Sequence, residues 1–301
     1  MQDAEAIQHL EQSDQYRVIQ RLHAPDRYCQ GKPATPRIGI VIDTETTGLD
    51  ANTDSIIELG FVAFSYDAGS GLIYDILHTY DAFEDPGKPL SDIVKQITGI
   101  TDAMVAGQHL DDADANAWLE KADLIIAHNA AFDRQMLERR LPIVCKANWA
   151  CTFNDIPWQD EDISSLKLDY IAYKMGYFFD GHRAVNDAQA TLHLLTKPLP
   201  CSRKLTMITL LSNARASSHR FFAIRAPFDK KDDLKARGYR WMPDFVHNGK
   251  KGVWSKSVAD SEASAEAQWL TDSIYTGKPL QFMEKKVLAT DRYSNREFTA
   301  E

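Results

Sequence analysis

An apolar run that ends in two acids constrains this chain more than any other feature of its sequence. Residues 38–50 read IGIVIDTETTGLD, so a strand-like segment leads directly into Asp43 and Glu45. Side chains two residues apart on a strand point to the same side of a sheet, and neighbouring carboxylates repel one another unless a cation lies between them. Because Mg²⁺ prefers oxygen ligands of this kind, the segment predicts a divalent-metal site. The alternative is that the two acids stand so close by chance.

Two further segments bring an acid close to a strand end or a turn. In DLIIAHNAAFDRQML (123–137) an apolar strand ends at Ala127, and Asp133 lies on the helix that follows. In FFDGHRAVNDAQATLHLL (178–195) Asp187 stands at the start of a helix after a glycine turn. Sites collect at such positions in open α/β sheets. Four carboxylates converging there would hold two metal ions roughly 3.5–4 Å apart, an arrangement that hydrolyses phosphodiesters.

Two histidines lie five residues before one of these acids, so either can serve as a general base. His128 follows the apolar run LIIA directly, which predicts a packing role at the end of a buried strand. His182 follows Asp180 and Gly181, a turn signal that places it on a mobile surface loop. A general base must reach the attacking water and exchange protons with solvent, and an imidazole is suited to that near neutral pH. We therefore assign the role to His182.

The segments VIDTETTGLD, AHNAAFD and HRAVND resemble the three motifs of the DEDDh exonuclease family, to which the proofreading epsilon subunit of bacterial DNA polymerase III and RNase T belong. ITGITDAMVAG (97–107) resembles the family's segment between the first two motifs. The resemblance covers residues 38–200 and implies an RNase H-like fold, two Mg²⁺ or Mn²⁺ ions, and 3′→5′ hydrolysis that releases nucleoside monophosphates. It implies a general base at His182 and metal ligands at Asp43, Glu45, Asp133 and Asp187.

Six residues beside the acids are predicted to contact the substrate. The first three turn the chain and bring backbone N–H groups near the terminal nucleotide. Leu49 resembles the family's apolar wedge against the last base. The last two line the same cleft or serve the structure alone. In chain order the six are Thr46, Thr47, Gly48, Leu49, Asn129 and Phe132.

The order of the elements predicts an α/β fold with a mixed sheet, because three early strands precede alternating helices and strands. A second, smaller α/β module follows. We divide the chain into a helical N-terminal extension (1–37), a DEDDh exonuclease domain (38–214), a linker (215–220) and a basic accessory module (221–301).

The net charge of −9 conceals an uneven distribution. Residues 201–256 carry 13 Lys and Arg against 4 Asp and Glu, a balance of +9, and their basic side chains interleave with aromatic ones. Aromatic rings can stack on bases while cations follow phosphates; alternatively, Trp241 and Trp254 form the core of a small domain. The residues predicted to bind nucleic acid are Arg225, Lys230, Lys231, Lys235, Arg237, Arg240, Lys250 and Lys251.

The remaining features indicate a soluble, cytoplasmic protein, and the family resemblance implies a bacterial type. The N-terminal residues MQDAEAIQHLEQ lack the apolar segment of a signal peptide, and no run approaches the roughly 18 apolar residues of a membrane span. The four cysteines have no CxxC spacing, which argues against a zinc site.

The sequence therefore predicts a 3′→5′ exonuclease that acts on DNA, prefers single-stranded ends, and has a polymerase or repair protein as a further partner. Two alternatives stay open: an RNA-trimming enzyme of the same fold, and a polymerase-associated binding protein that uses the fold as a scaffold. The intact set of five catalytic residues disfavours the scaffold.

Overall fold

The computed structural model describes residues 3–277, 279 and 281–296. The chain divides into two compact units, Met1–Asn213 and Ala214–Glu301. In the part of the chain that the model describes, no helix combines the length and the apolar character needed to cross a membrane.

The first unit holds a mixture of helices and strands, as its apolar patterns predict. Short 3₁₀ turns at 142–146 and 158–161 complete it. In chain order its elements are α1 (Asp3–Glu11), β1 (Gln20–Arg21), β2 (Pro36–Thr46), β3 (Ile56–Asp67), β4 (Ile73–Phe83), α2 (Asp92–Thr98), α3 (Asp102–Val105), α4 (Asp112–Leu119), β5 (Leu124–Ala127), α5 (Ala130–Arg140), β6 (Trp149–Cys151), α6 (Leu168–Lys174), β7 (Tyr177–Phe178), α7 (Ala184–Leu195) and α8 (Thr206–Arg215).

A five-stranded mixed sheet with the order β4-β3-β2-β5-β6 forms the centre of this unit. Strand β3 is antiparallel to both β2 and β4, whereas β5 is parallel to β2 and to β6. Almost every residue of β3 is buried, which explains why IIELGFVAFSYD is nearly continuous in apolar residues rather than alternating. The mixed sheet with its helices confirms the predicted RNase H-like α/β fold.

Local signals account for the ends of several elements. The segment SDIVKQITGI (91–100) predicts a helix capped by Ser91. The hydroxyl of Ser91 does accept a hydrogen bond from the backbone N–H of Val94 at 3.3 Å and so caps α2. Gly99 ends the same helix at φ 69°, a left-handed conformation that glycine adopts without strain.

The N-terminal extension departs from the prediction in its second half. The apolar spacing of residues 4–23 predicts one or two helices, but α1 ends at Glu11 and β1 instead pairs in parallel with β7. The N–H of Leu22 donates to the carbonyl of Phe178 at 2.8 Å. The β-branched Val18 and Ile19, just before β1, favour extended backbone, and the two-residue strand Gln20–Arg21 follows where the second helix was expected. The extension thereby braces the segment that leads to His182.

The second unit is built on a four-stranded antiparallel sheet with the order β11-β8-β10-β9. One face carries a core cluster that includes Phe221, Leu234 and Tyr239, and the other carries Phe222 and Phe245. In chain order its elements are β8 (Ser218–Ala223), α9 (Lys231–Ala236), β9 (Arg240–His247), β10 (Lys250–Ala259), α10 (Ala263–Trp269) and β11 (Phe282–Val287), with a π-helical turn at Leu270–Ile274 after α10.

Strand β8 corrects the predicted linker at 215–220. The polar sequence SSHR has the composition of a loop, yet β8 begins at Ser218 and pairs with β10 on one side and β11 on the other. Its polar side chains find partners in the sheet: the Nε2 of His219 lies 2.8 Å from Asp260 Oδ1, and Arg220 Nε donates to Ser255 Oγ at 3.1 Å. Residues 218–220 therefore belong to the sheet.

The sequence of the second unit predicts strands at 221–228 and 251–258 and helices at 229–238 and 262–275, so β9 and β11 were not predicted. Pro243 lies within β9 and argues against a strand, because proline cannot donate a ladder hydrogen bond. The sheet order resolves the conflict, since both β9 and β11 are edge strands, where proline is tolerated.

Candidate active site

Three carboxylates of the first unit meet on one side of the central sheet. Among the residues that the structure describes, Asp43, Glu45 and Asp187 each offer an oxygen, and the three oxygens lie within 4.8 Å of one another. Both Asp43 and Glu45 belong to β2 itself, which runs to Thr46 and is therefore longer than the predicted strand. Their spacing of two residues places them on the same face, as the sequence predicts.

Gly60 allows the third acid to approach. It pairs with Asp43 in the register of β2 and β3. A Cβ atom at this position would overlap the backbone of Ala184 and Val185, the first residues of α7. Because glycine has no side chain, the start of α7 packs directly against the sheet and brings Asp187, in its first turn, beside β2.

A buried ion pair fixes the start of the same helix. Glu58 pairs with Glu45 across the strands and is fully buried. Its carboxylate accepts from Arg183 Nε at 2.8 Å and from the backbone N–H of Ala184 at 3.0 Å, and these bonds raise the pKa of Arg183. Sequence reasoning missed Glu58, although a single acid inside an apolar strand is a signal. Such a group is costly to bury without a partner.

Asp133 lies next to the three carboxylates but outside their group. It is buried on α5, and its Oδ1 accepts from the backbone N–H of Thr44 at 3.0 Å and from the Thr44 hydroxyl at 2.9 Å. Thr44 is the chain neighbour of Asp43, and the charge of Asp133 is the second cause, after burial, of the raised pKa of Asp43. The fourth predicted ligand therefore contributes to the same field of negative charge.

Burial and mutual repulsion disfavour the charged forms of all four acids. Burial is the largest cause in each case and neighbouring carboxylates add to it, so the pKa rises to about 8 for Glu45, about 7 for Asp133 and about 6 for Asp187. The pKa of Asp43 is raised as well. An oxygen-only donor set that is short of positive charge fits a divalent cation such as Mg²⁺ or Mn²⁺.

The two histidines occupy different environments. His128 is hydrogen-bonded at both ring nitrogens, with Nε2 2.8 Å from the Leu166 carbonyl and Nδ1 2.7 Å from the Thr152 hydroxyl. A carbonyl only accepts, so Nε2 carries the proton and Nδ1 accepts in the neutral ring. Burial lowers the pKa of His128 and favours that neutral form. These contacts describe a packing residue.

His182 is exposed and adopts φ 63°. A positive φ is uncommon outside glycine, and strained residues of this kind cluster at functional sites. The loop is held on both sides: Asn186 Nδ2 donates to the Asp180 carbonyl at 2.9 Å, and Arg21 pairs with the Asp180 carboxylate at 2.7 Å. His182 also lies close enough to Asp187 to offset part of the rise that burial causes in the pKa of that carboxyl group.

A comparison with known protein families identifies the family of this chain. The sequence model of the exonuclease family named for RNase T matches residues 40–195, just over half of the chain. The chain belongs to this exonuclease family. The match spans every acid of the site together with both histidines.

Curated relatives of this exonuclease include the PolC-type DNA polymerase III of Listeria welshimeri, which is 33% identical over 172 residues, covering 55% of this chain and 11% of that protein. The Bacillus subtilis PolC-type DNA polymerase III is 33% identical over 171 residues, covering 53% and 11%. The chain thus spans only about a tenth of the length of these relatives.

Two solved structures resemble this exonuclease over part of its length. Exonuclease X in complex with 5′ overhanging duplex DNA is 26% identical with a TM-score of 0.40, covering 56% of this chain and 98% of that one. Escherichia coli Exonuclease I in complex with a dA16 oligonucleotide is 14% identical with a TM-score of 0.46, covering 74% and 63%. The family assignment rests on the sequence model rather than on these two.

The turn after β2 in the exonuclease is ordered by its own side chains. The Thr46 hydroxyl donates to the Gly48 carbonyl at 2.6 Å, and the Thr47 hydroxyl donates to Asp54 Oδ1 at 2.9 Å. The N–H of Thr47 donates to the Ser55 carbonyl at 2.9 Å, so it is occupied within the protein rather than offered to a nucleotide. A Cβ on Gly48 would overlap the Asp54 carboxylate, which explains the glycine.

The other predicted substrate residues differ in exposure. Leu49 is 86% exposed at the tip of the turn, where an apolar side chain has no protein surface to cover. Asn129 is exposed at the start of α5, and its carbonyl accepts from the N–H of Phe132 at 2.8 Å. Phe132 is half-buried. Leu49 and Asn129 are therefore accessible to a ligand.

Proposed function

We propose that this protein is a DEDDh-type 3′→5′ exonuclease that hydrolyses the terminal phosphodiester bond of DNA and releases nucleoside 5′-monophosphates. The observation that carries the proposal is the group of three carboxylate oxygens within 4.8 Å, with His182 exposed beside it. Asp43, Glu45 and Asp187 would hold the divalent ions together with Asp133, and the donor set suits Mg²⁺ and Mn²⁺ alike.

The bound ions would lower the pKa of the attacking water and stabilise the leaving oxygen. The chain's own residues supply the rest. His182 accepts a proton from the attacking water and passes it to solvent, to which its ring is open. Arg183 and Glu58 hold the start of α7, so that Asp187 and His182 keep their places. Leu49 packs against the last base and limits the reaction to chain ends.

Similarity to PolC-type DNA polymerases favours DNA as the substrate, a polymerase or repair protein as a partner, and a bacterial cytoplasm as the location. A preference for single-stranded ends follows from the need to bring a free terminal nucleotide to a cluster of carboxylates. RNA trimming is the second candidate, because the matching family is named for RNase T.

The second unit is proposed to be an accessory module that binds nucleic acid. Its basic side chains are not equivalent, however. Arg237 and Lys256 both contact the buried carboxylate of Glu266, at 3.2 and 2.9 Å, and Arg237 also lies over the ring of Trp269. Arg237 therefore serves the fold, and seven of the eight predicted basic residues remain in the proposal.

A digestion of 5′-labelled strands tests the proposed function. Purified protein with Mg²⁺ or Mn²⁺ is expected to shorten single-stranded DNA stepwise from the 3′ end and to release mononucleotides, and EDTA is expected to stop the reaction. Matched duplex DNA and RNA substrates rank the preferences. Robust cleavage in EDTA, or cleavage of a circular single strand, contradicts the proposal.

A further inference from the structure

The second unit contains an open pocket lined by aromatic and basic side chains. Its volume is about 310 Å³, at the lower end of the roughly 300–1,000 Å³ typical of small-molecule sites. The pocket is formed by the end of β8, the loop before α9, and strands β9 and β10. We call it the aromatic pocket, and its principal lining residues are Arg225, Phe228, Lys231, Trp241, Gly252 and Trp254.

Two of the aromatic rings that line the pocket are exposed. Phe228 is 82% exposed and Trp241 is 50% exposed. Trp254, by contrast, packs against the core cluster of the unit, so only one of the two tryptophans predicted as core serves that role. Exposed apolar surface that is contiguous, as in a groove lined by several rings, marks ligand-binding sites.

Trp241 is held in position before any ligand arrives. Its ring lies edge to face with Trp254, with ring centres 5.5 Å apart. It also lies against Gly252, which adopts φ 86° and where a Cβ would overlap the indole. One face of the indole is thus backed by the protein and the ring keeps a fixed orientation, as a stacking platform requires.

The cations of the pocket are available to a ligand. Within the described residues, neither Arg225 nor Lys231 forms an ion pair, whereas Lys230 is held by Asp233 at 3.2 Å. The Lys231 ammonium lies 4.6 Å from the centre of the Phe228 ring. Arg225 has φ 50°, a strained conformation for arginine, and its side chain is exposed.

We propose that the aromatic pocket binds a base of single-stranded nucleic acid, stacked on Trp241 and Phe228, with the flanking phosphates at Arg225 and Lys231. Rings that can stack and cations that are not paired with carboxylates are the two components of single-strand binding sites. A peptide without acidic side chains would not need these cations. The inference rests on the proposed function only in its choice of nucleic acid as the ligand.

The test uses the full-length protein in EDTA, which halts hydrolysis while binding is measured. The probes are fluorescein-labelled oligothymidylate and oligouridylate of about 20 nucleotides, long enough for site sizes of about 4–16 nucleotides. Trp241→Ala is expected to weaken binding about 5- to 100-fold, the range that stacking of one base implies. Leu288→Ala, which also truncates an exposed apolar side chain, is the matched control and is expected to bind as the wild type does.

Two further binding measurements distinguish the contribution of base stacking from that of the positive charges. Lys231→Gln is expected to flatten the slope of log affinity against log salt by about 0.7, whereas Lys286→Gln, an exposed lysine paired with Asp260, leaves the slope unchanged. An abasic oligonucleotide should bind wild type and Trp241→Ala alike. If Trp241→Ala does not fold, Phe228→Ala replaces it, because so exposed a side chain does not support the core.

Hydrolysis of a p-nitrophenyl ester of thymidine 5′-monophosphate, which reaches the catalytic centre alone, keeps the two proposals apart. Trp241→Ala should hydrolyse this ester at the wild-type rate. Equal affinity of Trp241→Ala and Leu288→Ala for both oligonucleotides overturns the pocket proposal and makes a protein ligand the better hypothesis, even if the ester is hydrolysed. Loss of binding in a protein that does not hydrolyse the ester supports the pocket and contradicts the proposed function.

Discussion

The two units of the chain differ in the sign of their net charge and in where their charged side chains lie. The first unit carries 18 Lys and Arg against 31 Asp and Glu, and the second, to the end of the chain, carries 16 against 12. In the first, acids are concentrated and buried around Asp43; in the second, cations and aromatic rings are exposed around Trp241. Under the proposed function, a unit that concentrates carboxylates for metal ions repels the phosphates that it is to cleave. Affinity for the rest of the strand is then best supplied by separate, positively charged surface.

The number of basic residues in a unit overstates how much positive charge is available to bind phosphates. In both units the best-placed cations are used to hold buried acids: Arg183 is bound to Glu58 in the first, and Arg237 is bound to Glu266 in the second. Only cations without such partners, such as Lys231, are free to meet phosphates. Cations that hold buried acids are structural charge, and cations that are free of such partners are binding charge. Each prediction below tests one of these two kinds of charge.

The largest expected effect concerns Asp43. Asp43→Asn should reduce hydrolysis by roughly 10³-fold or more, because without metal-ion stabilisation the free energy of the transition state rises by several kcal/mol. Binding of oligothymidylate in EDTA should be unchanged, since the second unit is proposed to supply it. Steady-state kinetics and fluorescence anisotropy on the same preparation measure both. Loss of binding together with turnover would break the division of labour between the units.

The next effect separates the two histidines of the first unit. His182→Ala should cost about 10²–10⁴ in turnover, the usual contribution of a positioned base, while keeping the thermal stabilisation by metal. His128→Ala should instead lower the free energy of unfolding by about 1–3 kcal/mol, because it leaves the partly buried Leu166 carbonyl without its donor. Turnover per folded molecule should survive in that variant. The reverse pattern would exchange the two roles.

The elements of the first unit were largely predictable because the apolar pattern of each segment indicates its secondary structure locally. Strand β3 begins and ends at Ile56 and Asp67, as its apolar run predicts. The strand at 240–247 was missed because Pro243 argues against a strand unless its edge position is known, and that position depends on the pairing of distant residues. In the second unit the local signals and the tertiary pairing disagree more often.

The same limit applies to the site. The spacing of Asp43 and Glu45 follows from the two-residue period of a strand, so one segment is enough to place them on one face. The roles of Glu58 and Gly60 follow from the register of β2 and β3, which puts them opposite Glu45 and Asp43. A single sequence does not contain that register, and these positioning residues were therefore missed.

A third prediction tests whether Arg183 is structural charge. Arg183→Lys keeps the positive charge but loses the two-pronged contact with Glu58. It should lower kcat about 10-fold by loosening the start of α7, with little change in KM or in the salt dependence of binding. Arg21→Lys, at an exposed ion pair with Asp180, is the matched control and should change kcat little. A change confined to KM would assign Arg183 to substrate binding.

The last effect concerns stability rather than turnover, because the sign of the pH dependence differs between the units. In the first, the folded pKa values of about 8 for Glu45, 7 for Asp133 and 6 for Asp187 lie above their ordinary values. The folded state therefore holds more protons than the unfolded state between about pH 4 and 8, and metal-free stability falls as pH rises through that window. In the second, bonds from Lys256 and Arg237 outweigh burial and lower the pKa of Glu266, so its contribution is lost only as pH falls below about its ordinary value of 4.5.

Thermal unfolding in EDTA and in Mn²⁺ from pH 4 to 8 measures this difference. Protons compete with metal for the same oxygens, so Mn²⁺ at about 100 times its dissociation constant should add about 2.7 kcal/mol at pH 8, or about 5–11 °C for a unit of this size, and little at pH 5. Asp43→Asn should lose most of that gain, whereas Glu266→Gln should alter only the acidic end of the curve. A metal-free midpoint that rises from pH 5 to 8 more steeply in the wild type than in Asp43→Asn would contradict the buried cluster, because it requires the carboxylates to be stabilised in their charged form without a cation.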